Sequence, residues 1–327
     1  MRRLMKFLVV LVLALGGWAF WWVNHSLPLS APTLELAVEP GTPPRSVARD
    51  VVGAGVQTSA DLLYWWFRLS GQARSIKAGN YELETGLTPR SLLAKLTRGE
   101  EALRSVTLVE GWTFKQVRAA LLKAEHLKPD TESLQDALIM AQLGLPDRHP
   151  EGRFYPDTYT YAKNSSDLKV LLRAMHAMDK QLALAWQARS TNLPLKNPDE
   201  LLILASIVEK ETGLASDRDM VASVFSNRLR IGMMLQTDPT VIYGMGDKFD
   251  GNLRRRDLQT DTPWNTYTRA GLPPTPIAMP GKASLMAAAQ PASNRALYFV
   301  ARGDGSSQFS DNLDAHNRAV NKYQRGQ

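Results

Sequence analysis

The sequence has 327 residues, no cysteine and a formal net charge of +7. Disulfide bonds and thiol chemistry are therefore excluded. Its 39 Lys and Arg residues are spread along the chain without a block of five, so we expect no nucleic acid among its partners.

The first elements in chain order are a short basic tail, residues 1–6, and an uncharged apolar segment, residues 7–23. As a helix this segment would be about 25 Å long, at the short end of what crosses a bilayer. Trp18, Trp21 and Trp22 stand at its far end, where indole rings favour the membrane–water interface. The positive-inside rule then places residues 1–6 in the cytoplasm, a single anchor at 7–23 and the remaining chain outside the cytoplasm.

A cleaved signal peptide is the alternative to an anchor. No small-x-small cleavage site follows the apolar segment, and its three tryptophans favour an uncleaved helix. Residues 24–33 contain Pro28 and Pro32 and are predicted to form a linker off the membrane. The roughly 300 residues outside the membrane are enough for two domains.

Residues 34–128 are predicted to form the first domain, a small β-α-α-β unit with an appended strand and helix. Tyr64, Trp65 and Trp66 are adjacent on its second helix, where aromatic side chains belong to the core more often than to a sugar-binding surface. Thr88 is expected to cap its third helix. The predicted strands are 34–39, 80–84 and 105–110, and the predicted helices are 43–54, 59–69, 88–96 and 113–126.

Residues 129–327 are predicted to form a larger mixed domain, which makes the whole chain an α+β protein. Residues 235–240 are interpreted as a rigid loop around Pro239, and 247–282 as loop-rich chain of the kind that commonly lines a site. A turn at 303–305 joins two late strands. The predicted helices are 131–143, 166–189, 198–212, 217–229, 283–289 and 313–324, and the predicted strands are 296–301 and 307–309.

The most informative segment is the predicted helix 198–212. Its middle is entirely apolar or small, and carboxylates arrive only at its end, as Glu209 and Glu211. Asn197 and the following proline are typical of a helix start, and Gly213 fits a C-terminal stop. Because the helix dipole is negative at this end and apolar neighbours disfavour charge, a glutamate here is expected to stay protonated, as a general acid must.

Glu209 and Glu211 are two positions apart, so their side chains point to roughly opposite sides of the helix and cannot form a close pair. Glu211 continues the row of Leu204, Ile207 and Val208, which gives it a slight preference as the inward-facing acid. The alternative, that both glutamates are solvated residues at a frayed helix end, stays open on this pattern alone.

Most common catalytic arrangements are missing from the sequence. The five histidines are not paired at metal-ligand spacing, and there is no H-E-x-x-H, Walker, G-x-G-x-x-G or G-x-S-x-G motif. We therefore expect neither a metal nor a cofactor, and a structural hydrogen bond for His316. Carboxylate, amide and hydroxyl groups remain, as in enzymes that cleave glycosidic bonds. The candidates for a cleft are Glu211, Gln236, Asp238, Asn265, Tyr267 and Asp157.

Several runs of the chain resemble the MltG-type, YceG-like endolytic murein transglycosylases, and the resemblance extends from the anchor to the last helix. The catalytic glutamate of that family falls on Glu211. Two positions depart from the family pattern: Ser307 replaces a common histidine, which puts a catalytic role there in doubt, and Arg153 replaces an aromatic residue. The matching runs are 154–159, 205–212, 221–225, 227–229, 235–244, 265–267, 271–274 and 316–317.

The resemblance implies a single-pass protein of the inner membrane, with a periplasmic catalytic part and a LysM-like small domain at about residues 34–110. It implies non-hydrolytic cleavage of MurNAc–GlcNAc bonds within glycan strands, which leaves 1,6-anhydro-MurNAc ends and would terminate nascent strands. The implied partners are peptidoglycan glycan strands, the inner membrane and peptidoglycan synthases. Glu211 would be the acid, and the sugar would be held by Gln236, Asp238, Asn265, Tyr267 and Asp157.

Two other functions stay open at this point. A non-catalytic peptidoglycan-binding scaffold of a synthesis complex would need the anchor and the small domain, but not the buried acid helix. A muramidase would use water as the nucleophile and a second carboxylate, for which Asp238 is the candidate.

Overall fold

The computed structural model describes residues 2–325, and the chain divides into two compact units. The first unit comprises the chain up to Arg104 together with Thr160–Asn164. The second comprises Ser105–Tyr159 and the chain from Ser165 onward.

Helices make up most of the regular structure, and the strands are short. The described residues contain three two-stranded sheets, and none of these sheets is joined to another. The predicted mixed α+β class is thereby confirmed. The predicted domain bounds, 34–128 and 129–327, stay a prediction; the division into units places the chain from 105 to 128 with the second unit.

The first unit follows the predicted β-α-α-β order, and its LysM-like character stays a prediction. Its two strands are antiparallel, with Leu36 opposite Tyr81, and both side chains are buried in its core. Thr88 caps its last helix, as predicted. Its elements are α1 (Arg2–Asn24), β1 (Thr33–Val38), α2 (Pro44–Gly53), α3 (Ala60–Leu69), β2 (Gly79–Glu84) and α4 (Pro89–Arg98).

Helix α1 is long and apolar enough to cross a membrane over Met5–Asn24. The stretch 24–33, predicted to be a spacer, is tied to the rest of the unit by backbone hydrogen bonds. The amide of Leu27 donates to the carbonyl of Leu87 at 2.7 Å, and the amide of Ser30 donates to the carbonyl of Gly55 at 3.0 Å. Only two residues therefore separate the end of α1 from the folded unit.

The second unit carries most of the helices. Strands β3 (Leu103–Thr107) and β4 (Thr158–Ala162) pair with each other, and the division between the units falls within both. The remaining elements are α5 (Phe114–Lys123), α6 (Asp136–Gln142), α7 (Asp167–Gln187), α8 (Pro198–Glu211), α9 (Arg218–Arg230), α10 (Asp238–Met245), α11 (Arg255–Gln259), α12 (Lys282–Ala289), β5 (Tyr298–Ala301), β6 (Ser307–Ser310) and α13 (Leu313–Gln324).

Two parts of the sequence interpretation need correction. Strand β4 was not predicted, although its alternating threonine and tyrosine side chains are a strand pattern, with Tyr159 and Tyr161 buried. The interpretation of 235–240 as a loop is wrong beyond Thr237, because α10 begins at Asp238. Pro239 lies in the first turn of this helix, where proline needs no hydrogen-bond partner for its nitrogen.

Helix α8 has the predicted start and a different end. The side-chain oxygen of Asn197 accepts a hydrogen bond from the amide of Glu200 at 2.9 Å, as expected for a cap. The eight residues from Leu201 to Val208 are all buried, and α8 packs against α7, α9 and α12. The helix ends through extended backbone at Thr212, whose hydroxyl donates to the carbonyl of Val208 at 2.7 Å, and not through Gly213.

A buried carboxyl group, Glu151, connects two helices of the second unit. It is 3% exposed; its Oε1 accepts from the amide of Phe114 at 2.9 Å and its Oε2 from the hydroxyl of Tyr243 at 3.1 Å. Burial raises the pKa of Glu151 from 4.5 to about 7, although both hydrogen bonds oppose this rise. The protonated form is therefore favoured in the folded protein.

This raised pKa predicts that stability decreases as pH rises. The contribution is complete below the unfolded pKa of 4.5 and is lost as pH passes the folded pKa of about 7. We expect the contribution of Glu151 to the free energy of unfolding to fall by about 3 kcal/mol between pH 4.5 and 8. Urea denaturation across this range should show a much flatter profile for Glu151→Gln, while Glu132→Gln, at an exposed position, should keep the original slope. An unchanged slope in Glu151→Gln would contradict the assignment.

Candidate active site

The carboxyl group of Glu211 lies where the end of α8 meets the loop before α10. Its Oε1 accepts a short hydrogen bond from the hydroxyl of Thr237, which is buried. Burial raises the pKa of Glu211, and the neighbouring Asp238 adds to the rise, while Thr237 and Arg228 act in the opposite direction. Glu211 is thus a half-buried, hydrogen-bonded acid, unlike the solvated residue of a frayed end.

Asp238 and Tyr267 form a second polar pair beside this acid. The hydroxyl of Tyr267 donates to Oδ1 of Asp238 at 2.6 Å. Burial raises the pKa of Tyr267, and Asp238 and Glu211 raise it further, so the phenol stays protonated. Asp238 is exposed and Tyr267 is half-buried, so a ligand can reach this pair.

Gln236 immediately precedes the buried Thr237 in the chain, and its side chain is exposed. Its φ of +47° lies in the left-handed region, which is uncommon for a residue with a side chain. The amide of Gln236 donates to the carbonyl of Thr266 at 3.1 Å, and the amide of Thr237 donates to the hydroxyl of Thr266 at 3.1 Å. The loop around residue 266 therefore fixes the backbone that presents Gln236, Thr237 and Asp238.

Asn265 has no polar atom free for a sugar. It is 0% exposed, and its Nδ2 donates to the carbonyls of Leu258 at 3.0 Å and Thr260 at 2.7 Å. Its Oδ1 accepts from the amide of Tyr267 at 2.8 Å. Asn265 therefore holds the loop that carries Tyr267, in place of the direct sugar contact that the sequence predicted.

Asp157 is exposed and lies apart from these residues in sequence and in its contacts. Its Oδ1 accepts from the amide of Thr158 at 2.7 Å, and its carbonyl accepts from the amide of Leu108 at 2.9 Å. None of the contacts described for residues 2–325 joins Asp157 to Glu211. The other four predicted sugar-holding residues, in contrast, lie beside the acid, in the loop before α10, at the first residue of α10 and in the loop around residue 266.

Arg228 is a buried residue beside Glu211 that was not among the site residues predicted from the sequence. Its Nε donates to the carbonyl of Leu297 at 2.7 Å, and its Nη1 donates to the carbonyl of Leu235 at 2.6 Å. Its positive charge lowers the pKa of Glu211, and its Cζ lies 5.4 Å from the ring centroid of Tyr298. The only sequence signal for Arg228 was its place in the matching run 227–229.

His316 also contacts Tyr298. The two rings stack at 5.1 Å between centroids, and the buried Nδ1 of His316 has no hydrogen-bond partner. The predicted structural hydrogen bond through this nitrogen is therefore not present. Burial lowers the pKa of His316, and Arg228 lowers it further, which favours the neutral imidazole.

Glu209 points to different surroundings from Glu211, as the helical spacing requires. Its Oε2 accepts from the amide of Gly281 at 2.9 Å, immediately before α12. The side chain of Glu110 also lies against Gly281, and burial together with the charge of Glu209 raises the pKa of Glu110. The hydrogen bond of Glu209 connects α8 to the residue before α12, and neither Glu209 nor Glu110 has a described hydrogen bond with Glu211.

Of the two departures from the family pattern, Arg153 has a local explanation, and no contact among the described residues explains the serine at position 307. Arg153 forms an ion pair with Asp199 in the first turn of α8, with Nη2 and Oδ1 2.7 Å apart. The amide of Ser307 donates to Oδ2 of Asp217 at 2.6 Å.

Across residues 2–325, no group of three or more His, Asp or Glu side chains is placed to hold a metal ion.

Comparisons with known proteins agree on one family. The sequence model of the YceG-like family matches residues 36–322. An endolytic murein transglycosylase of Bacillus subtilis is 31% identical over 90% of this chain and 86% of its own length. One from Streptococcus pneumoniae is 27% identical over 96% of this chain, which spans 64% of that relative. The crystal structure of a YceG-like protein from Listeria monocytogenes aligns with a TM-score of 0.57 and 28% identity, covering 88% of this chain and 98% of that one.

Proposed function

The chain belongs to the YceG-like family, and from this premise we propose that it is a lytic transglycosylase that cleaves the glycan strands of peptidoglycan. Three relatives named endolytic murein transglycosylase, 26–31% identical over most of the chain, support this activity. The observation that carries the proposal is the carboxyl group of Glu211. It is held at the end of a buried helix, with a raised pKa, beside two loops that expose polar side chains.

Glu211 supplies the proton for bond cleavage in this proposal. It protonates the oxygen between MurNAc and GlcNAc as the bond to the anomeric carbon breaks, and becomes a carboxylate. The carboxylate then takes the proton of the C6 hydroxyl of the same MurNAc while that oxygen bonds to the anomeric carbon. The products are a 1,6-anhydro-MurNAc end and a free GlcNAc hydroxyl, and Glu211 is protonated again.

The neighbouring residues have separate roles in this reaction. Gln236, Asp238 and Tyr267 present accessible polar groups and bind the sugar, and the carboxylate of Asp238 stabilises the positive charge that develops at the anomeric carbon. Asn265 acts indirectly, by holding the loop of Tyr267. Asp157, which is exposed and apart from the acid, contacts a more distant part of the glycan strand.

Helix α1 anchors the protein in the inner membrane, with residues 1–6 in the cytoplasm and the enzyme in the periplasm. The apolar span and the basic residues before it support this orientation. An anchored enzyme meets glycan close to the membrane, where strands are made. We therefore propose that cleavage terminates nascent strands and that peptidoglycan synthases are neighbours of the protein.

Mass analysis of the products released from purified sacculi tests the proposed reaction. A transglycosylase gives anhydro-ended fragments, whereas a muramidase gives fragments that are heavier by one water because hydrolysis consumes it. A non-catalytic scaffold releases no fragments above the background. Either of the latter two results, obtained with folded full-length protein in detergent, would overturn the proposal.

A further inference from the structure

The outer face of helix α3 is apolar and exposed. Leu62, Trp65 and Leu69 are 37%, 52% and 79% exposed, and their spacing of three and four residues places them on one stripe. The opposite face carries Leu63 and Phe67, which are fully buried in the core of the first unit. The helix is thus apolar on both sides, and the core of the unit accounts for only one of them. The sequence favoured a core position for the adjacent aromatic residues Tyr64, Trp65 and Trp66, and Trp65 is instead exposed.

Helix α3, which carries the stripe, and the chain just after helix α1 both contact the segment 87–89. The amide of Leu27, three residues beyond the end of α1, donates to the carbonyl of Leu87. Two residues further along, the carbonyl of Pro89 accepts from the indole nitrogen of Trp66 at 3.0 Å. Trp66 and Trp22 of α1 also pack against the same core cluster. These contacts fix α3 beside the point where α1 leaves the unit.

The residues around the stripe suit the surface of a bilayer. The guanidinium carbon of Arg68 lies 5.9 Å from the ring centroid of Trp65, and that of Arg45 lies 5.5 Å from the ring centroid of Tyr64. Tryptophan and tyrosine favour the headgroup level of membranes, and anionic lipid attracts arginine. Arg68 supplies this attraction, because Arg45 is already paired with Asp61 at 3.3 Å. Aliphatic side chains such as Leu62 and Leu69 gain free energy there by leaving water.

We propose that the outer face of α3, formed by Leu62, Trp65 and Leu69, lies in the headgroup region of the bilayer that α1 spans. The proposal rests on the membrane anchoring proposed above. This contact would be the second one between the first unit and the membrane, and it would restrict the rotation of the unit about the axis of α1. The attachment of α3 and of the chain after α1 to the same segment, residues 87–89, favours lipid over a glycan strand or a partner protein as the occupant of this face.

A single fluorescent label can test this contact, because the chain has no cysteine to compete for it. Leu69→Cys, at an exposed position, would be labelled with an environment-sensitive fluorophore in full-length protein in nanodiscs containing anionic lipid. Glu100→Cys is the matched control, since it is exposed just beyond the far end of α4, about 15 Å from Pro89. Leu13→Cys reports on the anchor itself. Lipids spin-labelled near the headgroup or deep in the acyl chain serve as quenchers.

The proposal predicts a blue-shifted emission at residue 69 that headgroup-labelled lipid quenches, with no shift or quenching at residue 100. Quenching at residue 13 by deeply labelled lipid would show that α1 spans the bilayer. If residue 13 is quenched and residue 69 is not, the contact of α3 is wrong while the anchor stands. If residue 13 is not quenched, the proposed anchoring itself is wrong. Emission at residue 69 that shifts only on adding glycan strands or another protein would likewise overturn the lipid contact.

Discussion

Replacing Glu211 by glutamine is expected to lower the rate of glycan cleavage by about 10²–10⁴-fold. The amide has nearly the same shape and can still accept the hydrogen bond from Thr237, but it has no acidic proton to give to the glycosidic oxygen. Since binding of the strand does not need that proton, the loss should appear in kcat and leave KM almost unchanged.

Glu209→Gln is the matched control for this experiment. It makes the same chemical change two residues away, at a side chain that accepts from the amide of Gly281 and does not face the acid. We expect it to retain activity, because a glutamine oxygen can accept the same hydrogen bond. Release of anhydro-ended fragments would be followed by mass spectrometry, with circular dichroism to verify folding. Full activity in Glu211→Gln would remove the acid from the mechanism.

Helix α8 was predictable because its signals are local. Asn197 caps the first turn through an oxygen three residues from the amide that it binds, and the apolar middle of the helix is unambiguous in the sequence. The position of the acid follows from these signals and from the helix dipole. The start of α10 was harder to predict, because the proline at position 239 fits both a loop and the first turn of a helix. The interpretation of this segment as a loop was therefore wrong from Asp238 onward.

The surroundings of the acid depend on contacts between distant residues. Thr237 is 26 positions from Glu211, and Arg228 donates to the carbonyl of Leu297, 69 positions away. Neither partner can be read from spacing within one helix. Asn265 shows a different limit: its residue type suits both a sugar-binding surface and a buried loop, and only its burial distinguishes the two.

The change Asn265→Asp is expected to destabilise the protein by about 3 kcal/mol and to abolish most of its activity. Aspartate has the same shape, but it replaces the donor that binds the carbonyls of Leu258 and Thr260 with an oxygen that repels them. In this buried position its pKa would be raised, so the loss of stability should grow as pH rises through that pKa. Urea denaturation at pH 5 and pH 8 measures both effects.

Asn252→Asp provides the control, because it makes the same chemical change at an exposed asparagine. It should leave stability and activity nearly unchanged. The comparison separates the two roles open to Asn265. If Asn265 holds the loop, stability and activity fall together, since Tyr267 loses the support of its backbone amide. If Asn265 instead bound sugar directly, KM would rise with no loss of stability. That result would require Asn265 to leave its buried position before glycan binds.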